Sequence, residues 1–222
     1  MKIKRLLVFA PHPDDDVIGC GGTIALNTAQ GNHAAIVYLT SGEAGSLDRQ
    51  PEELAALRED EAAQGAALLG VSDLTFLHQP DGYIAWNREL LENLISIIRS
   101  QQPDLIFLPH AREEVRDHQQ CSQLVIEACR RASGPWFADC GAQPWSAATL
   151  LAYEVWTPLE RYNLTVDISA YMATKLNALG RHGSQLADIA YDEAVQGLNR
   201  YRGITSGAGQ YVECFQVIKT RL

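Results

Sequence analysis

Short apolar runs alternate along this chain with longer stretches in which apolar side chains recur every three or four residues. Residues 5–10 (RLLVFA), 34–39 (AAIVYL), 74–77 and 105–108 (LIFL) are too short for helices and predict buried strands. Between them, residues 22–30 read as a helix and 51–70 (PEELAALREDEAAQGAALLG) as a stronger one. Pro51 suits its first turn, acids enrich its start, and Gly70 can end it. Residues 88–100 place Leu90, Leu91, Leu94, Ile95 and Ile98 at helical spacing, and 118–132 predict a further helix. Later strands are predicted at 148–156 and 212–218, and later helices at 170–179 and 189–201. Such alternation predicts an α/β protein with a parallel sheet covered on both faces. Residues 133–145, with Gly, Pro and two Trp, predict a surface loop or a lid over the site.

Composition narrows this picture. A chain of 222 residues, 46% hydrophobic, can bury one substantial core, so a single domain over 1–222 is expected. A formal charge of −9 argues against nucleic acid as a partner. The opening MKIKRLLVFAP has basic residues and then only six apolar ones, which reads as a first strand and not a signal peptide. No apolar stretch approaches the ~20 residues of a membrane span. A cytoplasmic protein without a membrane partner is expected. The five cysteines include no CxxC, so each reads as a small buried residue.

The chemistry concentrates after two of the strands. Residues 12–16 (HPDDD) follow the first strand directly, at the edge where open α/β sheets bind ligands. The strand at 105–108 usually lies beside the first in such folds, and Asp117 and His118 follow it. Two distant loops can therefore bring together His12, one or more of Asp14, Asp15 and Asp16, and His118. Two histidines and a carboxylate make a catalytic zinc set with one position open for water. A dication also compensates closely spaced acids, and a further carboxylate can act as general base. A dinucleotide site is the rival, from Gly19, Gly21 and Gly22. Those glycines do not follow the strand directly, and Ile24 stands where the third is needed. They are expected instead to let the backbone pass close to the metal loop and start the helix. No G-x-S-x-G elbow is present.

These residues resemble the PIG-L/LmbE-like family of zinc-dependent N-acetylglucosaminyl deacetylases. PHPDDDVIGCGG is similar to the family's A-H-P-D-D-E motif and its glycine run, with Asp16 where Glu is usual. LTSGEAG, LREDEAAQGAALLG, PDLIFLPH, KLNALGRHGSQ and RGITSGAGQYVECF resemble later family segments in the same order. The resemblance implies a Rossmann-like three-layer α/β/α fold and an N-acetylated amino sugar or glycoconjugate as substrate. It implies His12, Asp15 and His118 as metal ligands for Zn²⁺, with Fe²⁺ also suited, and Asp14 as general base. Arg58, Glu43 and Asp81 would meet the substrate, and Asp117 would orient a ligand or cap its helix. A homo-oligomer is compatible with this reading.

One departure stands out. The family commonly carries H-x-D-H in the second loop, its first His stabilising the oxyanion, whereas VRDH here places Val115 there. Losing one such donor typically costs about 10²–10³ in kcat. His110, Arg116 and His182 are candidate replacements. The alternatives are a catalytically altered metal- or sugar-binding member of the same fold, and an amidase acting on a non-sugar N-acyl substrate.

Overall fold

The computed structural model describes residues 3–141, 143–187 and 189–220. Seven strands form one sheet in the order β3-β2-β1-β4-β5-β7-β6. They are β1 (Arg5–Ala10), β2 (His33–Tyr38), β3 (Asp73–Phe76), β4 (Leu105–Pro109), β5 (Thr149–Tyr153), β6 (Leu164–Asp167) and β7 (Val212–Thr220). The first five run parallel, and β7 lies antiparallel between β5 and β6.

The helices are α1 (Asp15–Ala29), α2 (Pro51–Leu68), α3 (Arg88–Gln101), α4 (Arg116–Ala132), α5 (Met172–Leu179), α6 (Gly183–Leu186) and α7 (Tyr191–Ser206). Strand β1 is buried on both faces because it packs helices on both. Leu6, Val8 and Ala10 join the core under α1, α2, α5 and α7, while Leu7 and Phe9 join the core under α3 and α4. The chain leaves β1 toward β2 on one side and later returns to place β4 on the other. This reversal of strand order opens a crevice at the carboxyl ends of β1 and β4.

Helix α1 begins at Asp15, seven residues earlier than the glycine-rich pattern suggests, and it is bent. Cys20 leaves helical geometry (φ −146°, ψ 17°) and frees backbone groups on both sides. Buried side chains satisfy them. Lys175 Nζ donates to the Ile18 carbonyl at 2.8 Å, and Glu213 accepts the Gly22 and Thr23 N–H groups at 2.9 and 2.8 Å. Lys175 and Glu213 are themselves paired at 2.7 Å, both essentially inaccessible. The glycines serve packing and not the metal loop. A Cβ on Gly19 would strike the Tyr153 ring, and one on Gly22 would come within 2.7 Å of Ile168.

Of the two readings of the 133–145 stretch, the described residues 133–141 and 143–145 fit a surface loop and not a lid. The buried Arg99 guanidinium donates to the carbonyls of Ala132, Gly134, Trp136, Phe137 and Gly141, and Trp145 Nε1 donates to Pro103. These bonds fix the loop beside the start of β4, at the sheet edge away from the crevice. All five cysteines are buried and free.

Candidate metal centre and cleft

The loop after β1 turns abruptly into α1. The turn puts Asp14 at φ 134°, a conformation that non-glycine residues rarely adopt and that persists where surrounding bonds impose it. Arg58, arriving from α2, supplies those bonds. Its guanidinium donates to the Pro13 and Gly42 carbonyls at 2.8 and 3.0 Å and stands 3.4 Å from the Asp14 carboxylate. It is a buried residue at the cleft and not a surface one.

His12, Asp15 and His118 converge. His12 Nδ1 lies 3.2 Å from Asp15 Oδ2, His118 Nε2 lies 3.3 Å from the same oxygen, and the two imidazole nitrogens are 3.3 Å apart. Three lone-pair atoms in a near-equilateral triangle of this size have a common point about 2 Å from each, the Zn–N and Zn–O distance. Asp15 Oδ1 is buried with no hydrogen-bond partner, as is His118 Nδ1. The donor set and the orphaned Asp15 oxygen both fit a divalent cation, while His118 Nδ1 lies on the far side of its ring.

Electrostatics reinforce the convergence. Burial would raise the Asp15 carboxyl, but His118 and His12 hold it well below the usual carboxylate range. Burial would lower His118, yet Asp15 and Glu113 push it up to about 9. Asp14 moves the other way. Desolvation raises it to about 7, although Arg58 pulls it back.

A second ring of groups surrounds the triad. His12 Nε2 faces Asp81 Oδ1 at 3.1 Å and Asp117 Oδ2 at 3.4 Å. These three could also be read as a metal set. However, Asp117 already accepts the Gly82 and Ile84 N–H groups, and Asp81 that of Ala44. An Nε2 proton shared between Asp81 and Asp117 satisfies the ring while Nδ1 faces the other cluster. Asp117 thus ties α4, the 81–84 loop and His12 together, and Val115 occupies the N-cap position of α4. Glu43 accepts the Asp81 N–H at 2.8 Å and lies outside the cleft lining.

The cleft above this cluster has a volume of about 430 Å³. His12, Asp14, Asp15, Arg58, Asp81, Asp117, Val115 and Arg116 line it, together with Ala44, Gly45, Gly82, Trp156, Gln185 and Tyr191. His110 and His182 do not. His110 is buried, with Nδ1 accepting the Arg112 N–H and Nε2 donating to the Thr157 carbonyl at 2.7 Å. His182 is buried with both ring nitrogens unpartnered, and burial together with the Arg58 charge lowers it to about 3, so it is neutral. Of the three candidates for the missing histidine's place, Arg116 alone lines the cleft.

Sequence reasoning passed over Glu113. This buried carboxylate accepts the Val155, Trp156 and Thr157 N–H groups and stands 3.6 Å from His118 Nδ1. Burial opposes its ionisation, but His110, His118 and the Val155 N–H lower it to about 2. Trp156, Tyr191 and Gln185 were likewise not foreseen. Trp156 and Tyr191 come from the loop after β5 and the start of α7, which no motif marks, whereas Gln185 ends the KLNALGRHGSQ segment without being singled out there.

Comparison with known proteins gives this geometry a context. Residues 7–129 match the model of a family described as PIG-L: GlcNAc-PI de-N-acetylase. A diacetylchitobiose deacetylase of Thermococcus kodakarensis is 33% identical over 199 residues, covering 86% of this chain and 73% of that protein. The structure of N,N'-diacetylchitobiose deacetylase from Pyrococcus horikoshii superposes with a TM-score of 0.88 at 31% identity, over 98% of this chain and 84% of that one. A 4-carboxy-2-hydroxymuconate hydratase from Pseudomonas putida has a TM-score of 0.86 at 23% identity, over 99% and 98% of the two chains, a likeness of fold alone.

Proposed function

This chain belongs to the PIG-L family, and from that premise we propose that it is a metal-dependent hydrolase releasing acetate from an N-acetylglucosamine-type substrate. One observation carries the reading. Three ligand atoms of His12, Asp15 and His118 meet within 3.3 Å of one another at the floor of a cleft, beside a strained, buried carboxylate.

His12, Asp15 and His118 would hold the ion; the mixed nitrogen and oxygen set suits zinc and also accommodates Fe²⁺. When bound, the ion would acidify water and polarise the acyl carbonyl. Asp14 takes the proton of the attacking water and delivers it to the departing amine nitrogen. Burial raises this carboxyl to about 7, where a group can both accept and return a proton near neutrality. Arg58 holds Asp14 in place. Asp81 and Asp117 hold the His12 ring through Nε2 and fix which nitrogen faces the ion.

The test measures metal content and acetate release over a panel of N-acetylated amino sugars and non-sugar amides. His12→Ala and His118→Ala are expected to lose both metal and activity. Asp14→Asn is expected to keep the metal and lose about 10²–10⁴ in kcat, the span of a general acid–base group. Stoichiometric metal in both histidine variants would overturn the ligand assignment. Val115 favours a second reading, a metal- and sugar-binding protein with altered catalysis. Tight binding of metal and sugars without acetate release would support it.

A further inference from the structure

We propose that Val115, Trp156 and Tyr191 form an apolar wall on which the substrate's sugar ring stacks, and that Glu113 is the positioning residue that sets this wall against the metal-facing triad. The inference rests on the deacetylase reading and adds to it the means by which a sugar is told from any other N-acyl amide.

The lining of the cleft divides by chemistry. Asp15, Asp81 and Asp117 crowd about His12, and Asp14 lies beside Arg58. The large apolar side chains of the lining are Val115, Trp156 and Tyr191. They come from neighbouring segments. The Glu114 N–H donates to Thr157 Oγ1 at 2.9 Å, which ties the backbone beside Val115 to the backbone beside Trp156. The Trp156 and Tyr191 rings then pack at 4.5 Å between centroids, inclined by 44°. Trp156 is 37% exposed, whereas Val155 and Leu159 in the same loop are buried. A pyranose carries hydroxyls around its rim and C–H bonds on its faces. An open indole above a floor of carboxylates matches both parts of it. An acyclic amide has no such face.

One carboxylate holds the wall in place. Glu113 is 1% exposed. It accepts the Val155 N–H at 2.8 Å and the Trp156 N–H at 3.2 Å, and its two oxygens share the Thr157 N–H at 3.3 and 3.2 Å. The same side chain stands 3.6 Å from His118 Nδ1, while His118 presents Nε2 to Asp15 across the ring. Glu113 therefore touches both the backbone that carries the indole and the imidazole that faces the triad. It is absent from the cleft lining and acts through these partners.

The experiment uses the protein at saturating zinc, because Glu113 also faces His118. Three probes are compared: methyl N-acetylglucosaminide, the acyclic amide N-acetylethanolamine, and methyl glucosaminide, which keeps the ring but has no amide bond to break. Acetate release gives kcat/KM for the two amides, and calorimetry gives Kd for methyl glucosaminide. The wild type is expected to favour the glycoside over the acyclic amide by at least about tenfold, and Trp156→Ala to cut that preference by up to about tenfold, the range of one well-packed aromatic contact. Methyl glucosaminide should weaken by the same factor. Trp156→Phe, which keeps a flat ring, should restore most of both. Glu113→Gln should also reduce both, and adding it to Trp156→Ala should cost nothing further, since the two act on one contact. Should Glu113→Gln not fold, Glu113→Asp, with the same charge at shorter reach, supplies the comparison. A preference near one in the wild type, or one unchanged in Trp156→Ala, would refute the wall. Full additivity in the double variant would refute the role of Glu113. Trp156-dependent binding of methyl glucosaminide without acetate release from either amide would support the wall and sink the deacetylase reading. Acetate released equally well from both amides would do the reverse.

Discussion

Asp14 and His118 respond to the same crowded floor in opposite ways. Asp14 is desolvated without a close ligand partner, and its carboxyl rises to about 7. His118 is as deeply placed, but the Asp15 carboxylate 3.3 Å away outweighs desolvation and raises it to about 9. In the metal-free protein His118 therefore carries a proton at neutral pH, and that proton must leave before the nitrogen can bind a metal. Apparent metal affinity is expected to rise with pH from 7 toward 9, by up to about tenfold per unit for this one proton. The His12 imidazole adds to the rise, since burial would lower it but Asp117, Asp15 and Asp81 hold it above its ordinary range. Competition with a chelator at several pH values measures it; an affinity flat over this range would contradict His118 as a ligand. The converging triad could be read from the chain because HPDDD and DH each follow a strand, and the two strands are neighbours. Glu113 could not, since AREEVRDH gives no reason to prefer it over the exposed Glu114. The contact of Asp81 with His12 was equally hidden, because it depends on how the loop after β3 folds back.

Among the elements, α1 shows most clearly what tertiary contacts add. Its glycines and acids argue by propensity against a helix before residue 22, and the observed helix nevertheless starts at Asp15. The bend at Cys20 persists because Lys175 and Glu213, from α5 and β7, replace the interrupted backbone bonds. Lys175→Met removes the only ammonium facing the buried Glu213 carboxylate among the described residues. It is expected to cost roughly 3–5 kcal/mol, the penalty of leaving one member of a buried pair, and urea denaturation would show it. A loss below about 1 kcal/mol would mean that the bend does not need this pair. The short strand β6 escaped notice because four residues of alternation are too few to stand out. The central strands, with apolar side chains on both faces, were plain.

At the scale of the whole molecule, the fold supplies one crevice and brings to it loops from β1, β3, β4 and β5. Fold alone leaves the chemistry open, since the hydratase shares this architecture; the assignment rests on the residues at the crevice. A metal held by His12, Asp15 and His118, as proposed, would join α1 to α4 and stabilise the folded state by mass action. At about 1,000 times its Kd this amounts to about 4 kcal/mol. For a chain of 222 residues such a gain corresponds to a rise in Tm of roughly 10 °C. Thermal unfolding with and without chelator is expected to show it, and identical curves would argue against a structural link. The most direct measurement titrates zinc or ferrous ion into the stripped protein and follows acetate release from N-acetylglucosamine glycosides. No release is expected without metal, then a rate that climbs in proportion to metal, and a plateau at one equivalent. Full-rate release by the stripped protein, or silence at one equivalent of either ion, would contradict it.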